Sequence, residues 1–224
     1  MKNLTLLAIL LFSTSVFAQR IIDKDVGNFH TLKVFDLIEV NFIHSEENKV
    51  VIKGENVDDV KIINDNGKLK LRMHLEKRFN GQATLVEVYY TSIEVLDVNE
   101  GAVIVSNEII KQNTINLRAQ EGGKIKVGLD VNTTKIKAVT GGIIEASGIS
   151  RSQEISLNTG GIFNGKELVT ENTKVAITAA GNAEINATNK VSVSVTAGGD
   201  VYIYGNPNEV NKKTFAGGRV KIMN

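Results

Sequence analysis

From about Val98 onward, hydrophobic and polar positions fall into columns that repeat about every nineteen residues. The markers are Gly123, Gly142, Gly161, Gly181, Gly199 and Gly218, spaced by 19, 19, 20, 18 and 19 residues. Two places after each marker stand Ile125, Ile144, Phe163, Ala183, Val201 and Val220. Four places after stand Val127, Ala146, Gly165, Ile185, Ile203 and Ile222. Between them lie Lys126, Glu145, Asn164, Glu184, Tyr202 and Lys221. Apolar on either side of a mostly polar column predicts a strand with one buried face. A second strand is predicted before each marker. Leu117, Ile136, Ile155, Val175 and Val193 stand six places ahead of it, and Ala119, Ala138, Leu157, Ile177 and Val195 four places ahead. Leu129, Ile149 and Leu168 are expected to add a third apolar contact per repeat.

A period of this length is one coil of a solenoid, which buries its core by stacking neighbours. One coil cannot cover its own apolar face, whereas several stacked coils can. Short coils need sharp corners and close backbone approach, and glycine permits both. Gly123, Gly142, Gly161, Gly181, Gly199 and Gly218 are therefore read as structural corners. Parallel neighbours wound one way should be right-handed by the crossover rule. The predicted fold is all-β, a right-handed parallel β-helix over residues 98–224. The last repeat, Gly217 to Asn224, stops after one strand, which leaves a coil end in need of a cover.

Residues 19–97 alternate without a fixed period and predict a less regular β-rich portion. Leu32 and Val34, then Ile38, Val40 and Phe42, then Leu69, Leu71, Met73 and Leu75, then Val86, Val88 and Tyr90 follow a period of two. That pattern means strands. Asn66-Gly67 and Asn80-Gly81 are turn dipeptides between them. Almost no helix is expected outside the leader.

Residues 1–18 are read as a signal peptide. Lys2 is the positive start, Leu4 to Phe12 the apolar run, and Val16-Phe17-Ala18 the small-x-small exit. The run is too short for a retained membrane span. The chain has no cysteine, so neither a lipid anchor at the cleavage site nor disulfides, thiol catalysis or thiolate metal sites are expected. Without Lys2 the chain carries 25 basic and 25 acidic side chains. This balance gives no reason to expect nucleic acid or an anionic membrane as partner. The expected location is periplasmic or extracellular, on the cell surface.

Thr140-Gly141-Gly142, Thr159-Gly160-Gly161, Ala180-Gly181 and Ala197-Gly198-Gly199 resemble the repeated corners of the auto-transporter adhesin head GIN domain family. Tyr202-Ile203-Tyr204-Gly205-Asn206-Pro207 resembles that family's Tyr-x-Gly-x-Pro close. Phe29 to Val34 and Ile38-Glu39-Val40 are similar to its opening strands, and Asp65 to Leu71 to its turn and following strand. The likeness spans nearly all of the mature chain. It departs in showing plain Thr-Gly-Gly or Ala-Gly-Gly where the family often has Ser-Gly-Ser-Gly, which thins any hydroxyl column. The resemblance implies a secreted β-helical domain of Bacteroidetes envelopes. No barrel-like segment follows, so a head without its own transporter is expected.

Candidate chemistry is sparse, and no catalytic residue, cofactor or metal is predicted. Glu145 and Glu184 share an outward column two coils apart, at roughly 9–10 Å from a strand spacing of ~4.8 Å. That is near the carboxyl separation of an inverting glycosidase, ~6.5–9.5 Å. The plainer alternative is a charged ladder on a solvated face. Asp130 and Asp200 occupy different repeat positions, and His30, His44 and His74 lack metal-ligand spacing. Strands rather than helices follow the glycines, so a phosphate loop is excluded. Thr140, Asn158, Thr159, Thr178 and Thr196, with Tyr202 and Tyr204, are the speculative ligand-binding residues. A row of hydroxyls and amides could hold an extended polymer, although the same residues could merely solvate the face. The leading expectation is a non-enzymatic envelope protein presenting an extended surface for binding or adhesion, its partner a polysaccharide or envelope surface component. The alternatives are a carbohydrate-active enzyme, and a structural module that self-associates through the C-terminal coil.

Overall fold

The computed structural model describes residues 20–54 and 57–223, so the leader assigned to residues 1–18 lies outside the described residues. The strands run in chain order as β1 (Ile21–Asp25), β2 (Thr31–Val34), β3 (Glu39–His44), β4 (Lys49–Gly54), β5 (Val60–Asp65), β6 (Lys68–Met73), β7 (Thr84–Tyr90) and β8 (Val95–Val98). They continue as β9 (Val103–Ala119), β10 (Lys124–Val139), β11 (Ile143–Asn158), β12 (Ile162–Ala179), β13 (Asn182–Ala197), β14 (Asp200–Tyr204), β15 (Glu209–Ala216) and β16 (Arg219–Ile222). The result is a β-solenoid of about 7 turns with roughly 19 residues per turn. No helix among the described residues is long and apolar enough to cross a membrane.

In the repeat region the two expected strands of each coil run together. β10, for example, continues through both apolar pairs, with Ile125, Val127, Leu129 and Val131 inward and then, after a phase change at Asn132-Thr133, Thr134, Ile136 and Ala138 inward. Parallel pairing sets Ile125 beside Ile144 and Ile136 beside Ile155, then Ile144 beside Phe163 and Ile155 beside Val175. Each interior column thus becomes a stack of apolar side chains, and one core cluster extends from Val26 to Ile203. Phe163 is fully buried and its ring fills the space that a side chain at Gly165 would need. The large residue in one column answers the missing one in the next.

Ile149 departs from the expected third apolar contact. Gly148 takes the rung shared with Leu129 and Leu168, which turns Ile149 outward to 59% exposure. The interior also holds a polar seam that apolar columns did not reveal. Thr134, Ser150, Gln153, Thr170 and Thr173 are all buried. Thr134 Oγ1 donates to Ser150 Oγ at 2.8 Å, and the Thr170 and Thr173 hydroxyls lie 2.7 Å apart. Short hydroxyl side chains can satisfy one another inside, whereas an unpaired polar group there would cost about 1–3 kcal/mol.

The N-terminal portion follows the same parallel plan with its coils reordered. β2 pairs parallel with β6 and β8, and β3 with β7 and β9. Residues 31–44 therefore lie between the coil of β6 and β7 and the coil that begins at β8. Antiparallel strands finish this end, with β4 on β7, β1 on β4 and β5 on β6. Asn66 and Gly67 have φ of 50° and 77°, the two left-handed positions of a tight hairpin turn. Asn80-Gly81 instead opens a short 3-10 turn over Gly81–Ala83.

Candidate functional site

The sheet register aligns one outward column along the solenoid: Val105, Lys126, Glu145, Asn164, Glu184, Tyr202 and Lys221. Two bulges interrupt its flank. In β9, Ser106, Asn107 and Glu108 stand opposite Val127 alone, two residues more than the register with β10 needs, and Ser106 Oγ donates to the Glu108 carbonyl at 3.1 Å. In β12 the register with β11 slips between Asn164 and Leu168. Asn186 of β13 pins that bulge by donating from Nδ2 to the Lys166 carbonyl at 2.9 Å.

β10 and β11 run between these bulges and form the floor of a groove of about 600 Å³. Lys126, Glu145 and Ser147 lie on the floor, Glu108 and Ile109 on one wall, and Lys166 and Glu167 on the other. Glu184 and Asn164 line the same groove. Lys124 Nζ stands 2.7 Å from Glu145 Oε1, so that carboxylate is held as one member of an ion pair. Glu108 Oε2 accepts from the His44 backbone N–H at 3.2 Å. Behind Glu108, burial and the Glu108 charge push the Tyr90 hydroxyl up to about 12, which keeps it protonated near neutrality. Lys166 Nζ lies over the Tyr204 ring, 4.8 Å from its centroid, at a distance suited to a cation–π contact.

The structure divides the expected binding residues between two places. Thr140, Asn158, Thr159 and Thr178 line a shallow depression of about 410 Å³, with Thr196 exposed one rung further along. They occupy two adjacent columns rather than one. Thr140 and Thr159 are the left-handed turn residues, each at φ 49°, whereas Asn158 ends its strand and Thr178 and Thr196 are the last residues but one of theirs. Tyr202 and Tyr204 lie past the corner, beside Glu184 and Asn186 respectively. They continue the strip that contains the groove and do not join the threonines.

The corners also divide their work. Left-handed φ falls on Gly141 and Gly160, each with open space around it, and not on Gly142 or Gly161. A Cβ at Gly142 or Gly161 would meet the carbonyl oxygen of Ala119 or Ala138 in the preceding coil. Gly123, Gly142 and Gly161 are thus places of close approach whose neighbours supply the turn, whereas Gly199 and Gly218 take left-handed φ themselves, at 125° and 110°. Sequence reasoning missed Glu108, Lys166 and Glu167 as groove residues. The 20-residue step between Gly161 and Gly181 was the available signal for the second bulge, while the first falls ahead of the markers.

Glu145 and Glu184 do share one column with Asn164 between them. Among the described residues, no group of three or more His, Cys, Asp and Glu side chains could hold a metal ion.

Solved structures share this architecture. A putative adhesin from Bacteroides fragilis superposes with a TM-score of 0.83 at 13% identity, covering 92% of this chain and 97% of that one. A putative lipid binding protein from Parabacteroides distasonis gives 0.70 at 12% identity, with 92% and 97% covered. A putative adhesin from Parabacteroides merdae gives 0.68 at 14% identity, with 92% and 96% covered. At these identities the likeness is one of fold. No curated protein matches the sequence. Residues 28–207 match the family described as putative auto-transporter adhesin, head GIN domain, and the chain belongs to that family.

Proposed function

We propose that this protein is an exported, non-enzymatic surface protein that binds an extended polysaccharide lengthwise along the strip from Lys126 to Tyr204. The observation that carries this reading is the groove between the two bulges, continuous with Tyr202 and Tyr204. Its floor and flank offer one polar side chain per rung at the ~4.8 Å strand spacing. A chain molecule laid along the axis would meet an ammonium, a carboxylate, an amide, a second carboxylate and a phenol ring in turn, with a second phenol beside the first on the same strand. Many weak contacts of this kind suit adhesion better than a closed pocket would. The family description supports a surface location, and the leader expected at residues 1–18 supports export.

The test is native affinity electrophoresis of the purified protein through gels cast with different envelope and plant polysaccharides. Selective retardation is expected in one gel. Tyr202→Ala and Asn164→Ala should reduce it, whereas Thr196→Ala should not. No retardation in any gel would overturn the proposal. The enzymatic reading retains one observation, the two glutamates on a single column. It would gain if the retarding polymer were shortened by the protein and left intact by Glu145→Gln with Glu184→Gln.

A further inference from the structure

The two ends of the solenoid differ in how their last strands finish. At the tail, among the described residues, β15 pairs only with β13 and β16 only with β14. Every residue of these two strands is exposed except the half-buried Val210 and Val220. At the head, among the described residues, β1 pairs only with β4 and β5 only with β6. Ile22 of β1 and Ile62 of β5 are half-buried there. These four side chains are the partly buried hydrophobics packed against the core cluster. Each end therefore offers, on each of two faces, one half-covered apolar residue packed against the core.

Strand direction matches across the ends on one face and is opposed on the other. β1 and β16 terminate one face of the sheet, with β1 restored to the common direction by two antiparallel steps. β5 and β15 terminate the other, with β5 running opposite to β15. Charge is complementary as well. The head segments Ile21–Asp25 and Val57–Asp65 carry Asp23, Asp25, Asp58, Asp59 and Asp65 against Lys24 and Lys61. The tail strands carry Lys212, Lys213, Arg219 and Lys221 against Glu209.

We propose that the tail of one copy docks on the head of the next, with β16 alongside β1 and β15 alongside β5. Docking would cover Val220 with Ile22 and Val210 with Ile62, and would pair edge backbone groups that have no strand partner among the described residues. Head-to-head contact would oppose aspartates, and tail-to-tail contact would oppose lysines. The contact is therefore heterologous and open-ended, which produces chains of copies and not a closed dimer. Lys212 stands on the interior column of Val193, and an inward charge on an edge strand opposes further pairing. That lysine keeps the contact weak. Stacked copies would extend the outward strip, whose last residues are Tyr202 and Lys221, from one molecule to the next.

Sedimentation velocity of the purified protein over a wide concentration range tests this. The average mass should rise with concentration at low salt and fall back at about 1 M salt, where the screening length is only about 3 Å. Lys212→Val should move assembly to about tenfold lower concentration. Asp23→Lys with Asp65→Lys, and Lys213→Glu with Lys221→Glu, should each be monomeric, and mixing the two variants should restore growth. Thermal melts matching the parent protein would show that the variants are folded. A protein that stays monomeric at every concentration, with Lys212→Val monomeric too, would overturn the proposal. So would undiminished assembly of either charge variant alone.

Discussion

The N-terminal and repeat portions use one geometry and reach it by different routes. In the repeats each coil stacks on its neighbour in sequence, as β10 does on β11 and β11 on β12. In the N-terminal portion the coil of β2 and β3 accepts a later segment, β6 and β7, on its outer side. β8 and β9 then return to its inner side. The same turn position shows the difference in miniature. Thr140 and Thr159 occupy it as exposed residues. Asp36, at φ 59°, occupies it fully buried, with Oδ2 accepting from the Met73 backbone N–H at 3.0 Å. Stacked beside it, Glu100 at φ 53° accepts from Arg78 at 3.1 Å. A repeat corner only has to turn the chain, whereas the N-terminal corner also fastens a coil that is distant in sequence.

The largest expected effect comes from Gly142→Val or Gly161→Val. The added side chain would meet the carbonyl of the preceding coil, and backbone cannot yield as a flexible side chain can. Loss of more than about 4 kcal/mol is expected, and a melting curve unchanged from the parent would break the close-approach account.

Phe163→Ala and Phe42→Ala set the two portions against each other. Both rings are fully buried, and Phe42 stacks on Tyr90 at 3.9 Å. Each substitution should cost about 3–5 kcal/mol. Hydrogen exchange should separate their consequences. Phe163→Ala should open neighbouring coils first, because stability in stacked repeats is a sum of local terms. Phe42→Ala should loosen β2, β6 and β7 together, since those segments interlock.

Asp36→Gly and Glu100→Gln probe the fastening corner. Asp36→Gly should lose about 1.5–3 kcal/mol with its charge-assisted hydrogen bond. Burial, then the hydrogen bond with Asp36 and its charge, raise the Glu100 carboxyl above its ordinary 4.5, against the opposing pull of Arg78. The folded state therefore holds this proton more tightly than the unfolded chain. The resulting stability is complete below the unfolded value and is lost as pH rises through the folded one. Glu100→Gln should flatten that part of the stability curve above pH 4.5, as read by denaturant unfolding at several pH values. An unaltered slope would remove Glu100 from the account.

The smallest effect is expected at Thr140→Gly. Relief of the left-handed strain and the entropy cost of glycine nearly cancel. Stability should change by less than about 1 kcal/mol, in contrast to Asp36→Gly at the matching turn position. A large loss at Thr140 would mean that its side chain also holds the corner.

Several features were open to reading in the residues. The columns headed by Ile125 and Val127 identified the buried face because an interior stack tolerates little polar area. The glycine markers set the coil length because a close backbone approach leaves no room for a Cβ. The strip of Lys126, Glu145, Asn164, Glu184 and Tyr202 also followed from the period. Its groove did not, because depth came from Ser106 to Glu108 and from Lys166 and Glu167, whose bulges depart from the period. The threonines and tyrosines were grouped together because both flank the glycines in sequence. They separate in space because the chain turns a corner between them.

The sequence by itself determined an all-β chain, a nineteen-residue coil and most of the apolar side chains that face inward along it. These follow from local alternation and from contacts repeated at a constant separation. Only the tertiary structure decided that β6 and β7 stack outside β2 and β3, that Ile149 turns outward, that hydroxyls pair within the core, and that two bulges wall a groove. Those outcomes depend on register between strands, and a shift of one residue exchanges the two faces of a strand.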